Sequence, residues 1–246
     1  MKVTYSWLKD FVDLKITPHQ LAQKLTMAGL EVVSLEESGQ DAVFEIEITS
    51  NRPDWLSVLG IAREVGAICG LKLKIFKQKE TKAKSKDVLP LKISVDDKKD
   101  CPYYSARIIS DVKVGPSPDW LKKRLESLGC RSVNNIVDIT NYILFETGQP
   151  LHAFDLDALG ADVVNIRRAK CNEKIVTIDG QEKILSPEVL VIADQSQPVA
   201  VAGIMGGKNT EVTFKTRNIL LESAVFDPVL VRRAKKKLGL QSESAY

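Results

Sequence analysis

The sequence predicts an α+β protein in two parts: a small helical/strand N-terminal domain over 1–76 and a larger mixed-sheet α+β domain over 90–246. Apolar residues recur at helical spacing in some windows and alternate in others, and in the second part helices come first and strands after. Residues 77–89 (KQKETKAKSKDVL) are rich in lysine, carry no core-facing stripe and read as a linker. With 246 residues, 44% of them hydrophobic, the chain is long enough for about two domains that each bury a core.

Ser6 is placed to cap a short helix over Trp7–Val12. Thr17-Pro18-His19-Gln20 is a stronger start, with a Thr cap, Pro at the first helical position and Gln at the capping-box position. Leu21, Leu25 and Ala28 then share a face, and Gly29 ends it. Leu30–Leu35 and Val43–Thr49 alternate as strands, the second with Phe44, Ile46 and Ile48 on one side. Asn51-Arg52-Pro53-Asp54 reads as a turn and cap before a helix from Trp55 to Cys69, stopped by Gly70. Beyond the linker, strands are expected at Leu91–Val95 and Tyr104–Val114. Ser117-Pro118-Asp119-Trp120 repeats the cap-and-Pro signal for a helix closing at Gly129, and another helix runs from near Ser132 through Asn141 to Glu146. Short strands follow around Val163–Arg168, Lys174–Ile178, Val189–Ala193, Val199–Val201 and Ile219–Glu222. Asp227-Pro228 opens the last helix, which ends near Gly239.

Composition removes several classes. No apolar stretch approaches the roughly 18 residues of a membrane helix, and the first residues do not form a signal peptide. Four cysteines without a C-x-x-C pair argue against a zinc ribbon or a disulfide scaffold and for a reducing cytoplasm. Two histidines, His19 and His152, exclude His-rich metal chemistry, and no metal site is expected. The net charge of +3 is uneven: residues 1–71 carry 6 Lys/Arg against 10 Asp/Glu, whereas 228–240 hold Arg232, Arg233, Lys235, Lys236 and Lys237 with no acid. Such a basic segment attracts phosphate, or is simply a solvated helix face. A DNA-binding role for the acidic N-terminal part has little support.

The stretch Ala202-Gly203-Ile204-Met205-Gly206-Gly207-Lys208-Asn209 fails as a phosphate loop, because Ala202 replaces the first glycine and Asn209 the magnesium-binding hydroxyl. Its glycines let a ligand approach backbone, or simply make a tight turn. His152 follows the Gly148 break as a lone loop histidine. No Gly-x-Ser-x-Gly elbow or cysteine nucleophile is visible. Glu222 ends an apolar strand, either in a cleft or at a sheet edge, and Ser242-Glu243-Ser244 places small hydroxyls after a helix end.

Ile46-Glu47-Ile48-Thr49-Ser50-Asn51-Arg52-Pro53-Asp54-Trp55-Leu56-Ser57 resembles the β subunits of bacterial phenylalanyl-tRNA synthetases. Tyr5-Ser6-Trp7-Leu8-Lys9, Val137-Asp138-Ile139-Thr140-Asn141-Tyr142, Gly148-Gln149-Pro150-Leu151-His152-Ala153-Phe154-Asp155, Ala202-Gly203-Ile204-Met205-Gly206-Gly207 and Leu221-Glu222-Ser223-Ala224 fit the same family in order. The resemblance implies a small N-terminal domain followed by an editing domain that removes tyrosine mischarged onto tRNA(Phe). It carries His152 and Asn141 onto the catalytic end of a pocket, and Glu222, Gly203 and Gly206 onto substrate binding. Thr140, Ala202, Ser242 and Ser244 match neighbouring pocket positions. Two departures stand out: Ser242-Glu243-Ser244 replaces the usual Thr-acidic-Ala, and residues 34–41 bridge the place where the family carries a tRNA-binding insert. The chain is then either a cut piece of a longer one or a short natural relative, and the first is the expectation because Ser244-Ala245-Tyr246 ends inside a motif.

An editing site must accept tyrosine and refuse phenylalanine, and a buried partner for the extra hydroxyl achieves this, since phenylalanine leaves that partner unpaired. The resemblance makes Glu222 that partner, leaves room for the ring at Gly203 and Gly206, and puts the ester by His152 and Asn141. An oriented water suffices for hydrolysis, so no nucleophile or cofactor is needed in this chain. ATP and magnesium are expected at the partner catalytic alpha subunit. The alternative is a non-catalytic scaffold that docks tRNA or a partner subunit through Arg232–Lys237.

Overall fold

The structure, a computed structural model, describes residues 1–39, 41–75, 91–160, 163–242 and 245. The linker expected at 77–89 lies outside the described residues, as does Ser244. Among the described residues the chain has six α-helices, three larger sheets and one two-stranded ribbon, divided between two compact units.

The first unit begins β1 (Lys2–Thr4), α1 (Tyr5–Phe11), α2 (Pro18–Met27), β2 (Val32–Ser38), β3 (Asp41–Ile46) and α3 (Val58–Cys69). The strands form an antiparallel sheet in the order β1-β3-β2. Helix α2 starts as its sequence predicts: Thr17 and Gln20 exchange the two hydrogen bonds of a capping box, with Pro18 in the first turn. Helix α1 differs, because Thr4 rather than Ser6 accepts from the Trp7 amide at 3.2 Å, while Ser6 is bonded to Asp41. The helix expected from Trp55 also starts later. Pro53–Trp55 forms a separate 3₁₀ turn, and Ser57 caps α3 by accepting from the Gly60 amide at 3.0 Å.

The unit is not contiguous in sequence. Ser117–Val133, which contains α4 (Asp119–Ser127), and Asn141–Gln149, which contains the end of α5 (Asn135–Thr147), belong to it as well. Its core of Trp7, Leu8, Leu21, Leu25, Phe44, Ile46, Ile61 and Val65 takes in Leu128, and Tyr142 and Phe145 pack against it. Trp7 stacks on Tyr142 with ring centroids 4.8 Å apart and donates through Nε1 to Glu146 at 3.1 Å. Burying these apolar faces is what ties the later helices to residues 1–75.

The second unit contains β4 (Lys92–Val95), β5 (Tyr103–Ile109), β6 (Leu151–Asp155), β7 (Val163–Arg168), β8 (Lys174–Val176), β9 (Glu182–Ile184), β10 (Leu190–Ala193), β11 (Pro198–Val201), β12 (Met205–Gly206), β13 (Ile219–Val225) and α6 (Pro228–Leu238). One mixed sheet runs β12-β11-β10-β7-β4, parallel only at β4–β7. A three-stranded antiparallel sheet runs β5-β13-β6, and β8 pairs with β9. Phe154 and Leu220 of the three-stranded sheet share a buried cluster with Ile166, Ile192 and Val199 of the mixed sheet. Helix α6 is capped by Asp227, which accepts from the Leu230 amide at 2.9 Å, and buries Ala234 and Leu238 with Val191, Val201 and Ile204.

Two expectations change here. The strand expected over Tyr104–Val114 stops at Ile109, and Asp111 takes a positive φ of 56°. The supposed loop around His152 is strand β6, paired to β13 along its whole length.

Candidate functional site

Residues 151–155 read Leu-His-Ala-Phe-Asp, so His152 and Phe154 fall on one face of β6 while Leu151 and Ala153 fall on the other. In the register with β13, His152 is directly opposite Glu222, and Phe154 is opposite Leu220. Side chains so paired stand on the same face, with β-carbons about 5 Å apart. The sheet therefore brings together an imidazole and a carboxyl separated by 70 positions in sequence. Glu222 is on the central strand, not at a sheet edge, which resolves the alternative that its sequence left open.

Both groups line a cavity of about 880 Å³ within the second unit. The mixed sheet and the turn after it contribute Ile192, Val201, Gly203, Ile204, Met205 and Gly206, and α6 contributes Val231, Arg232, Lys235 and Lys236. Gly203 has φ +69°, the left-handed conformation that the turn requires, and a β-carbon there would be 3.0 Å from Val231 Cγ2. At Gly206 a β-carbon would sit 2.5 Å from His152 Cε1 and 2.6 Å from Nε2, so this glycine gives the imidazole its place. His152 also meets Phe154 edge to face, with centroids 4.5 Å apart.

The electrostatics follow from burial. Glu222 is only 6% exposed, and desolvation pushes its carboxyl up to about 8. Its one hydrogen bond among the described residues comes from the Tyr104 hydroxyl, at 3.3 Å from Oε2. His152 keeps part of its surface open to the cavity, yet the surrounding protein desolvates it enough to push the imidazole down to about 4. Near neutral pH the wall therefore presents a neutral imidazole and a largely protonated carboxyl. Together they can donate to and accept from a neutral polar ligand. At the rim, Arg232 and Lys236 are exposed cations one helical turn apart.

Of the residues singled out in the sequence, His152, Glu222, Gly203 and Gly206 come together at this cavity. Four others do not line it. Asn141 belongs to the first unit, where its amide donates at 3.6 Å to Sγ of Cys130, in the segment that follows α4. Thr140 is buried and donates to the Val137 carbonyl at 2.7 Å within its own helix. Ala202 is 2% exposed in the core, with its amide bonded to the Leu190 carbonyl. Ser242 donates to the Ile204 carbonyl at 2.7 Å and so ties the C-terminal segment to the glycine turn. Tyr104 escapes sequence reasoning; its only signal is a tyrosine in an alternating strand. Among the described residues no His, Cys, Asp and Glu side chains group as a metal site, and no helix is long and apolar enough to cross a membrane.

The B3/4 domain family matches residues 100–246, which include every lining residue of the cavity. A phenylalanine–tRNA ligase beta subunit from Carboxydothermus hydrogenoformans is 49% identical over 205 residues, covering 83% of this chain and 25% of the relative. One from Geobacter metallireducens is 47% identical over 211 residues, covering 84% of this chain and 26% of the relative. A third, from Syntrophotalea carbinolica, is 34% identical over 359 residues and covers 100% of this chain and 45% of the relative. That last alignment is longer than the 246-residue chain, so the relative carries internal residues that this chain lacks. The chain spans from a quarter to under half of these relatives' length. Among solved structures, an N-terminal fragment of the phenylalanyl-tRNA synthetase beta subunit from Pyrococcus horikoshii aligns at 17% identity and a TM-score of 0.49, over 97% of this chain and 74% of that one.

Proposed function

This chain belongs to the B3/4 domain family, and we propose that it is the part of a phenylalanine–tRNA ligase beta subunit that hydrolyses tyrosine wrongly esterified to tRNA(Phe). The observation that carries this reading is the cross-strand pair of Glu222 and His152 on the wall of one cavity. Glu222 is the partner for the tyrosine hydroxyl. A buried carboxyl left without that hydroxyl costs about 1–3 kcal/mol, so phenylalanine is disfavoured.

His152 is placed to hold the hydrolytic water or the ester. An imidazole pushed down to about 4 is a poor proton acceptor at neutral pH, so its role is to orient by hydrogen bonding rather than to act as the base. Such positioning can supply much of the acceleration without a covalent intermediate. Asn141, whose amide donates to Cys130 Sγ, is not among the residues lining the cavity, so the scheme rests on His152 and Glu222. Arg232 and Lys236 at the rim face the phosphates of the tRNA 3′ end. The reading places the chain beside the alpha subunit in the cytoplasm, with ATP and magnesium at that subunit's aminoacylation site.

Incubating the chain with Tyr-tRNA(Phe) and counting free tyrosine tests the proposal, and release above the no-protein rate is expected. Binding without release would instead favour a non-catalytic tRNA-docking or subunit-interaction scaffold, for which the exposed rim cations also suffice.

A further inference from the structure

We propose that Tyr104 is a positioning residue for substrate selectivity: its hydroxyl, on a half-buried side chain, holds one oxygen of the Glu222 carboxyl so that the other faces the cavity. This rests on the editing reading and extends it to a residue outside the cavity lining. In the β5–β13 register Ala106 is opposite Glu222 and Tyr104 is opposite Ala224. Tyr104, Ala106 and Glu222 therefore share a face, and the small Ala106 leaves space for the phenol to reach diagonally to the carboxyl. Tyr104 Oη lies 3.3 Å from Glu222 Oε2, and no other hydrogen bond to the carboxyl is made among the described residues.

Burial and the adjacent carboxyl both push the Tyr104 phenol well above its ordinary range, so it remains a donor at any pH the protein meets. A carboxyl with neither oxygen held rotates and takes water in whichever orientation suits it. One held by Tyr104 presents a fixed polar atom, which a phenolic ligand satisfies and a phenyl ring leaves unpaired.

The other titratable groups facing Glu222 do not confuse the assignment. Cys101, beside β5, is pushed up to about 11 by burial and by Glu222, and His152 on β6 is pushed down to about 4. Arg232, Lys235 and Lys236 of α6 line the same cavity as cations. Since the Tyr104 hydroxyl favours the charged carboxylate, its removal raises the pH at which Glu222 ionises.

The test is Tyr104→Phe in the whole chain, with Tyr-tRNA(Phe) and Phe-tRNA(Phe) hydrolysed in parallel across pH. The ratio of the two rates cancels the common dependence on hydroxide. The wild-type ratio is expected to change near pH 8. In the variant it falls about tenfold and its midpoint moves to higher pH. A ratio and midpoint equal to wild type overturn the proposal, as does an equal loss on both substrates with the midpoint unmoved, which marks a merely structural residue. If wild type hydrolyses neither ester, the editing reading fails. The ¹³C-carboxyl titration of Glu222 then still reports on the contact, and an unchanged midpoint in Tyr104→Phe rules that out too.

Discussion

Gly206 leaves the His152 ring room where it lies, since a β-carbon there would come within 2.5 Å of Cε1 and 2.6 Å of Nε2. Its φ lies outside the left-handed region, so Gly206→Ala adds a collision without backbone strain. We expect tyrosine release to fall by about 10²-fold with far-UV circular dichroism unchanged, because a misplacement of about 1 Å is costly to an oriented reaction. His152→Asn, which still donates and accepts, should retain more activity than His152→Ala. Equal losses in those two variants would show that hydrogen bonding is not what His152 supplies. At this scale the resemblance singled out Glu222, His152 and both glycines, four residues that line one cavity. It also singled out Asn141, whose amide is bonded to Cys130 in the first unit, and gave no hint of Tyr104. The contact between Tyr104 and Glu222 spans 118 positions and exists only through the β5–β13 register, which no local pattern encodes.

At the scale of elements, β6 shows why the site looked less organised in the sequence than it is. Leu151–Asp155 is only five residues long, sets Ala153 and Phe154 side by side rather than alternating, and follows a Gly-Gln-Pro break, all of which also fits a loop. Pairing with the apolar β13, a long-range event, decides the matter. Helix α6 was legible in full, from the Asp227 cap and Pro228 to a left-handed Gly239. What its sequence does not reveal is which cations face the cavity. Lys237 pairs with Glu188, and the Lys235 ammonium donates to the Ala245 carbonyl at 2.9 Å. Arg232 and Lys236 remain for phosphate. Replacing both with Gln should weaken tRNA binding and flatten its dependence on salt, by about 0.7 in the log–log slope for each single-strand phosphate no longer neutralised. Filter binding from low to moderate salt measures this, and an unchanged slope would remove the rim from the interface.

For the whole molecule, the sequence reads as two parts divided near the lysine-rich segment, and it does not announce the return of α4 and the end of α5 to the first unit. Helical periodicity identifies an apolar face without identifying what covers it. The second unit carries two buried groups of opposite pH response, and their balance sets a measurable stability curve. Unfolded, His152 gains its proton near pH 6.5; folded, only near 4, so the unfolded state binds more protons in that window and stability falls with decreasing pH. Glu222 behaves oppositely, because the folded chain keeps its proton to about pH 8 and the unfolded chain releases it near 4.5; stability then falls with increasing pH. From 4.5 to 6.5 the two slopes cancel. From 6.5 to 8 only Glu222 acts, and the second unit should lose about 2 kcal/mol. Glu173 and Asp194, held below their ordinary range, act at lower pH. Urea unfolding, read by hydrogen exchange at β13 amides, should therefore give Glu222→Gln a flat stability above pH 6.5. His152→Asn should decline steadily from 4.5 to 8. If Glu222→Gln keeps the wild-type decline, the carboxyl is not protonated in the folded protein, and the neutral wall on which hydroxyl recognition depends is absent.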